Sequence, residues 1–356
     1  MDTGYPRYRE ARIRPFLYIT PSIRDSSVTM LVLLGGQLVL LGVAKDFSAL
    51  LVIFTALLGS GAAFYAGNWN SRERAASIVP DLVQGTLIGM LLPSAYPPVS
   101  VFFISFSALL AGKFFTGNTA CVRYNRVAIA VIVAWIAGAA LFPHWTIPAD
   151  AYAAPNVSLT LIQEGAVGMV KYDGVITEYL NRTVFHLFNV SVPEGYVSLL
   201  WDNGSSIPAF RFNLATVVSS IVLLATGVFT ISIPVLFLTT YGVLVRLLLP
   251  VFFGGTVGHG DVLLSFLTGG TLFCALYLLQ WFGTVPATTG GKCVYAVCGG
   301  LIAFFVAGYA ISPVGMVFTV LITDMVSAVI QGAEDRLNLR KTKRLLAAYG
   351  QQDTAI

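Results

Sequence analysis

The chain has 356 residues, 56% of them hydrophobic and 11% charged, with a net charge of +4 and a mean hydropathy of +0.79. A soluble domain carries about 25% charged residues, so a surface wholly in water is excluded and part of the solvent must be lipid, which admits only helices or closed barrels. Barrel strands give alternating segments of about ten residues, whereas the apolar runs here are continuous over about 17–21 residues, the length of a spanning helix.

Residues 1–27 are arginine-rich and contain no apolar signal core, so the first span is expected to serve as its own insertion signal. Arg7 to Arg14 read as an anchor on anionic headgroups rather than as a nucleic-acid arm. A first transmembrane half, 28–142, holds apolar runs at 28–44, 47–67, 79–95, 99–116 and 126–142. The third contains Gly85 and Gly89, ends in Pro93, Pro97 and Pro98, and is expected to be broken or partly re-entrant. A polar segment, 143–212, separates it from a second half, 213–332, with runs at 213–231, 233–253, 261–281, 293–311 and 314–332. Residues 333–356 form a short basic amphipathic tail. The class is therefore an all-α polytopic membrane protein of about ten helices.

With the N-terminus inside, sixteen of the 21 basic residues fall on the cytoplasmic side, among them Arg72, Arg74, Lys113, Arg123, Arg126, Lys292 and the tail cluster from Arg336 to Arg344. The 143–212 segment then lies outside, with Lys171, Arg182 and Arg211 as its basic residues. The positive-inside rule places both termini in the cytoplasm.

Five spans on either side of one long segment suggest an internal repeat, and an odd number per half inverts the second. Gly85-Thr86-Leu87 in the third span has a counterpart in Gly270-Thr271-Leu272 in the eighth, each preceded by an acid, Asp81 or Asp261. Inverted repeats place ligand or ion sites at their interface, often on broken helices. The small residues serve close helix packing, or leave backbone groups open to the edge of a flat cofactor. Ionisable residues inside spans are costly and often functional. Asp324 in the tenth span is the sharpest candidate for an ion relay, with Arg246 in the seventh as a possible partner and Asp81 and Asp261 at span entrances; a structural ion pair or outward snorkelling of Arg246 is the alternative.

The four cysteines, Cys121, Cys274, Cys293 and Cys298, form no metal-binding spacing and read as small core residues; no metal site is expected. Sequons at Asn156, Asn181, Asn189 and Asn203 are glycan acceptors only in a eukaryotic secretory protein. The sequence holds no P-loop, dinucleotide fingerprint, hydrolase triad motif or zinc-protease motif.

Several segments together resemble the RnfD/NqrB family, the membrane subunits of Rnf and Na⁺-pumping NADH:quinone oxidoreductase complexes. Thr20-Pro21-Ser22-Ile23-Arg24 is similar to that family's Ser-Pro-His-x-Arg entry. Pro80-Asp81 with Gly85 through Pro93 resembles its third helix, and Ala111-Gly112-Lys113, Thr116-Gly117-Asn118 and Tyr124-Asn125 resemble its G-K and F-N-P-A segment. Leu267-Thr268-Gly269-Gly270-Thr271-Leu272 and Thr284-Val285-Pro286 through Lys292 resemble its G-G-T and P-T-T segments. The resemblance covers nearly the whole chain. It implies an inverted repeat of five plus five helices, akin to ammonium and urea channels, in a bacterial inner membrane. It also implies partner membrane and peripheral subunits, flavin-mediated electron transfer between ferredoxin and NAD, and coupling to Na⁺ or H⁺. FMN is implied on a threonine of the outer segment, with a second, non-covalent flavin in some members. Gly85, Thr86, Gly112, Lys113, Asn125, Gly269, Gly270 and Thr271 are the implied cofactor contacts.

The chain departs from this pattern at the attachment site. Tyr179 falls where the modified threonine would be, the Gly-Ala turn is absent, and Thr177 offers only a displaced hydroxyl. Arg126 replaces the proline after Asn125, and the acid expected near Gln280 is missing. A stand-alone channel or secondary transporter on the same scaffold is the competing reading.

Overall fold

The computed structural model describes residues 21–69, 77–116, 124–143, 168–189, 191–281, 283–309 and 314–353. The Arg7 to Arg14 stretch, the Gly117-Asn118 turn, Cys121 and the Asn156 sequon lie outside them. Among the described residues the regular structure is all helical. Six helices are long and apolar enough to cross a membrane, and shorter apolar helices begin at Val79, Arg126 and Asn213. With a broken helix in the eighth place, each of the ten apolar runs has a helical counterpart. The chain is a multi-pass membrane protein.

The first half opens with α1 (Ile23–Val43), started by Ser22, whose hydroxyl accepts the Asp25 amide at 3.1 Å. A tight turn with Lys45 at φ +58° leads to Asp46, which caps α2 (Phe47–Asn68) through the Ala49 amide. The central helix is α3 (Val79–Leu91), flanked by α4 (Pro98–Thr116) and α5 (Arg126–Gly138). The helix α3 is continuous through Gly85 and Gly89, contrary to the expected interruption there. It stops at Leu92, which is extended and precedes Pro93, as the backbone preference before proline requires. Thirteen residues rise about 20 Å, short of the roughly 30 Å apolar core. From Pro80 to Leu91 only Leu82 is not fully buried, so protein rather than lipid covers the shortfall.

The 143–212 segment contains α6 (Asp173–Thr183), α7 (Tyr196–Trp201) and α8 (Pro208–Arg211). The second half follows with α9 (Asn213–Ala225), α10 (Ser232–Phe252), the broken eighth span, α13 (Thr289–Ala303) and α14 (Gly315–Asp353). The eighth span consists of α11 (Val262–Leu267) and α12 (Thr271–Phe273), the latter running into a π-turn over Cys274–Leu278. Gly270 sits between them at φ +67°. The carbonyl of Leu267, stranded by the break, accepts the side-chain amides of Asn203 at 3.0 Å and Asn213 at 2.8 Å. The Thr271 hydroxyl closes the gap onto the Ser265 carbonyl at 2.7 Å.

The two halves repeat one packing scheme. In each, the second helix packs on the fourth and the fourth on the fifth, as α2 on α4 on α5 and α10 on α13 on α14. First meets first, through Gln37 of α1 and Thr216 of α9 at 3.2 Å, and last meets last, through the Trp135 and Phe318 rings at 5.6 Å. A pseudo-two-fold relation pairs like with like in this way. The tail is not a separate element: α14 runs on for 39 residues, about twice a membrane thickness, because no proline and only two interior glycines, Gly332 and Gly350, interrupt an otherwise good helix-forming sequence.

The 143–212 segment is pinned at two points. Arg211 binds Asp202 through two nitrogens, at 2.7 and 2.9 Å, and Asp46 in the α1–α2 turn at 3.0 Å. Asp173 is the other pin, accepting the Gly195 and Ser198 amides and the Ser198 and Thr177 hydroxyls. Burial raises the Asp173 pKa, but these hydrogen bonds outweigh it and hold the carboxyl below its ordinary value of 3.8. Asn181 and Asn203 both commit their side-chain nitrogens to backbone carbonyls, of Val192 and of Phe210 and Leu267, so both sequons serve the fold.

Candidate functional site

The polar residues of the interior gather along one seam between the halves. It begins at α5, whose N-cap is Asn125: the side-chain oxygen accepts the Val127 amide at 3.0 Å, as an N-cap should. The same residue reaches across to the second half twice. Its backbone N–H donates to Asp324 Oδ2 at 2.8 Å, and its side-chain nitrogen donates to the Leu278 carbonyl at 3.0 Å. Asn125 and Asp324 are both fully buried.

Asp324 lies in α14 beside the exit of the broken eighth span. The Tyr295 hydroxyl of α13 donates to the Leu279 carbonyl at 2.8 Å and lies 3.4 Å from Asp324 Oδ1. Thr284, also fully buried, donates to the Trp281 carbonyl at 3.1 Å, and its own carbonyl accepts the Ser327 hydroxyl. The carboxylate thus sits at a junction of α5, α13, α14 and irregular backbone. Non-helical backbone at this depth needs a protein or cavity environment, and this junction supplies one.

One residue on, the seam turns toward Asp81. Arg126 is 2% exposed and lies in the field of the Asp81 carboxylate. Gly112 makes room for it: a Cβ at that position would stand 2.6 Å from Arg126 Cδ. Lys113 pairs with Asp81 Oδ2 at 3.1 Å and stacks its ammonium over the Phe64 ring, 4.6 Å from the centroid. Consecutive residues therefore serve two acids, Asn125 for Asp324 of the second half and Arg126 for Asp81 of the first. One turn along α3 from Asp81, Gln84 is 1% exposed with neither amide atom hydrogen-bonded, and Asp81 Oδ1 is likewise without a partner. Buried polar groups of this kind are normally satisfied, so the seam retains capacity for a water, an ion or a proton.

A family profile described as NQR2, RnfD, RnfE matches residues 11–339. The chain belongs to the NQR2, RnfD, RnfE family. It is accordingly a membrane subunit of the Rnf/Nqr type, a class that works in multi-subunit complexes. Comparison with curated proteins finds no match.

Seen as a member of this family, the chain brings Asp81, Gly112, Lys113, Asn125 and Asp324 together and disperses the rest. Arg246 does not pair with Asp324. It donates to the Gly260 carbonyl at 3.0 Å, ahead of α11, while Asp324 stands at the far exit of the same broken span. Asp261 is the N-cap of α11, accepting the Leu264 amide at 3.0 Å. The glycines of spans three and eight face protein: Gly85 abuts Ser60, a Cβ added at Gly89 would stand 2.5 Å from Ile53 Cα, and Gly270 abuts the Phe210 ring. Thr86 and Thr271 turn their hydroxyls to the carbonyls of Leu82 and Ser265, and Gly269 is half-buried beside the break. Gly85, Gly89 and Gly270 therefore leave no room for a flat cofactor against them in this arrangement.

The 143–212 segment does not fit an esterified flavin either. Thr177 is 3% exposed and its hydroxyl donates to Asp173 at 3.0 Å. Tyr179, at the aligned position, is exposed but phenolic, and both lie on a regular helix rather than a Gly-Ala turn. Sequence reasoning missed Gln84, Arg126, Thr284 and Tyr295. Gln84 carried a usable signal, as a lone amide in an apolar run; the others were hidden because their partners are distant in sequence, Asp81 for Arg126, Ser327 for Thr284 and Asp324 for Tyr295.

Proposed function

We propose that this chain is a membrane subunit of an Rnf-type ion-translocating electron-transfer complex in a bacterial inner membrane, with both termini cytoplasmic. Its own contribution is the ion-handling seam, in which Asp324 carries the relay and Asp81, balanced by Lys113 and Arg126, marks the entry. The observation that carries this reading is the fully buried Asp324 at the junction of both halves, on a scaffold matched by the family along residues 11–339. An intramembrane acid that no described basic side chain pairs with in an ion pair is costly to keep unless it is used. The cation moved is Na⁺ or H⁺, and the electron path runs between ferredoxin and NAD through partner subunits. Covalent FMN on the outer segment forms no part of this reading.

The test is affinity purification in mild detergent, with subunit identification and an absorbance spectrum of the assembly. Co-purification with redox subunits bearing flavin or iron–sulfur bands supports the reading. A solitary, colourless protein that moves a small solute in liposomes sinks it.

A further inference from the structure

A cavity of about 200 Å³ opens where the α9–α10 connection meets the exit of the eighth span. Gln280, Lys292, Thr230, Trp281 and Phe229 are among its lining residues, and among the described residues no acid lines it. Gln280 is 5% exposed. Its Oε1 accepts the Thr230 amide at 2.9 Å, and since a backbone N–H only donates, that contact fixes which end of the side chain is the oxygen. Its Nε2 is then a buried donor without a partner, a state that costs about 1–3 kcal/mol. Lys292 Nζ is 3.4 Å from the Thr230 hydroxyl. Thr230 therefore gathers an unpaired amide and an ammonium at one cavity. Glu334 does not line it; that carboxylate is held by the Ala287 and Thr288 amides.

We propose that this cavity binds a phosphate group, with Gln280 Nε2 and Lys292 Nζ as its donors. Water alone would satisfy the amide, but a cavity lined by a cation and by no acid selects an anion of several acceptor oxygens. The cavity stands at the end of the spans, so the phosphate is either that of a lipid headgroup or that of a soluble phosphate. The inference is independent of the electron-transfer reading.

The test uses the full chain, purified in detergent and also placed in nanodiscs of phosphatidylglycerol or of phosphatidylcholine. The thermal midpoint is followed against inorganic phosphate, with chloride at matched ionic strength as the control. Gln280→Glu keeps the acceptor for Thr230 while reversing the donor, and Lys292→Gln removes the charge. Each is expected to weaken the response at least tenfold. A response to inorganic phosphate identifies a soluble ligand, and one seen only with phosphatidylglycerol identifies a headgroup. Should Gln280→Glu fail to fold, Lys292→Gln at its half-buried position carries the comparison. No response in either medium, or variants that respond like the parent, overturns the proposal and leaves a water on Gln280.

Discussion

The third and eighth spans carry the same Gly-Thr-Leu signature after an acid, yet they fold differently. In the third, Gly85 and Gly89 lie within an unbroken helix and serve to bring α3 against α2. In the eighth, Gly270 is left-handed and splits the span, and Asn203 of the 143–212 segment and Asn213 of α9 take up the carbonyl that the split exposes. Asp81 is part of a buried charge cluster, whereas Asp261 is a helix cap. Similar letters in a repeat thus do one job by close approach and another by backbone freedom. The surroundings decide which: Ser60, Ala56 and Ile53 face the first pair of glycines, and the Phe210 ring faces the last.

The largest test of this contrast is the two acids. Asp81→Asn leaves the half-buried Lys113 and the buried Arg126 without this carboxylate and should cost about 3–5 kcal/mol in detergent unfolding. Asp261→Asn keeps a good N-cap and should cost well under about 1 kcal/mol. Equal losses would erase the distinction.

Next come the glycines. Gly270→Ala should cost about 1–2 kcal/mol for its left-handed backbone and about 1–3 more for overlap with Phe210; adding Phe210→Ala relieves only the second part. Gly85→Ala should cost about 1–3 kcal/mol, and adding Ser60→Gly should recover most of it. Rescue of both or of neither would show that the two spans are alike after all.

The smaller effects lie in the 143–212 segment that supports the break. Asn203→Ala should cost about 1 kcal/mol and raise hydrogen exchange around Leu267 without disturbing α3. The acid response of this segment has a definite sign. Asp173 has a folded pKa below its ordinary 3.8, so its stabilisation is fully present above the unfolded pKa and is lost as pH falls through the folded one. Limited proteolysis between Gly168 and Trp201 should therefore stay constant from neutral pH down to about 4 and rise only below that. A rise near pH 6 would contradict the hydrogen-bonded Asp173.

The ten runs and the change at 143–212 were legible because lipid forces long apolar helices, a coarse signal that one sequence carries well. The continuity of α3 and the running of α14 into the tail were not. Glycine in a span reads equally as a break or as a contact, and a basic tail reads the same whether or not it joins the preceding helix. Asp324 was legible as a lone acid in an apolar span. Its true neighbours were not, since Asn125 lies 199 positions away and only the fold brings them together. Arg246 shows the reverse error, an opposite charge in the same half that the broken span holds at the other end.

The central claim is that Asp324, held between the halves by Asn125, handles the translocated cation. The direct measurement is uptake of ²²Na⁺, and of protons by an internal dye, into liposomes bearing the purified complex, comparing the parent with Asp324→Asn at equal electron-transfer turnover. The account predicts at least a tenfold loss of one of the two uptakes with the assembly intact. Uptake of both ions at the parental rate would contradict it.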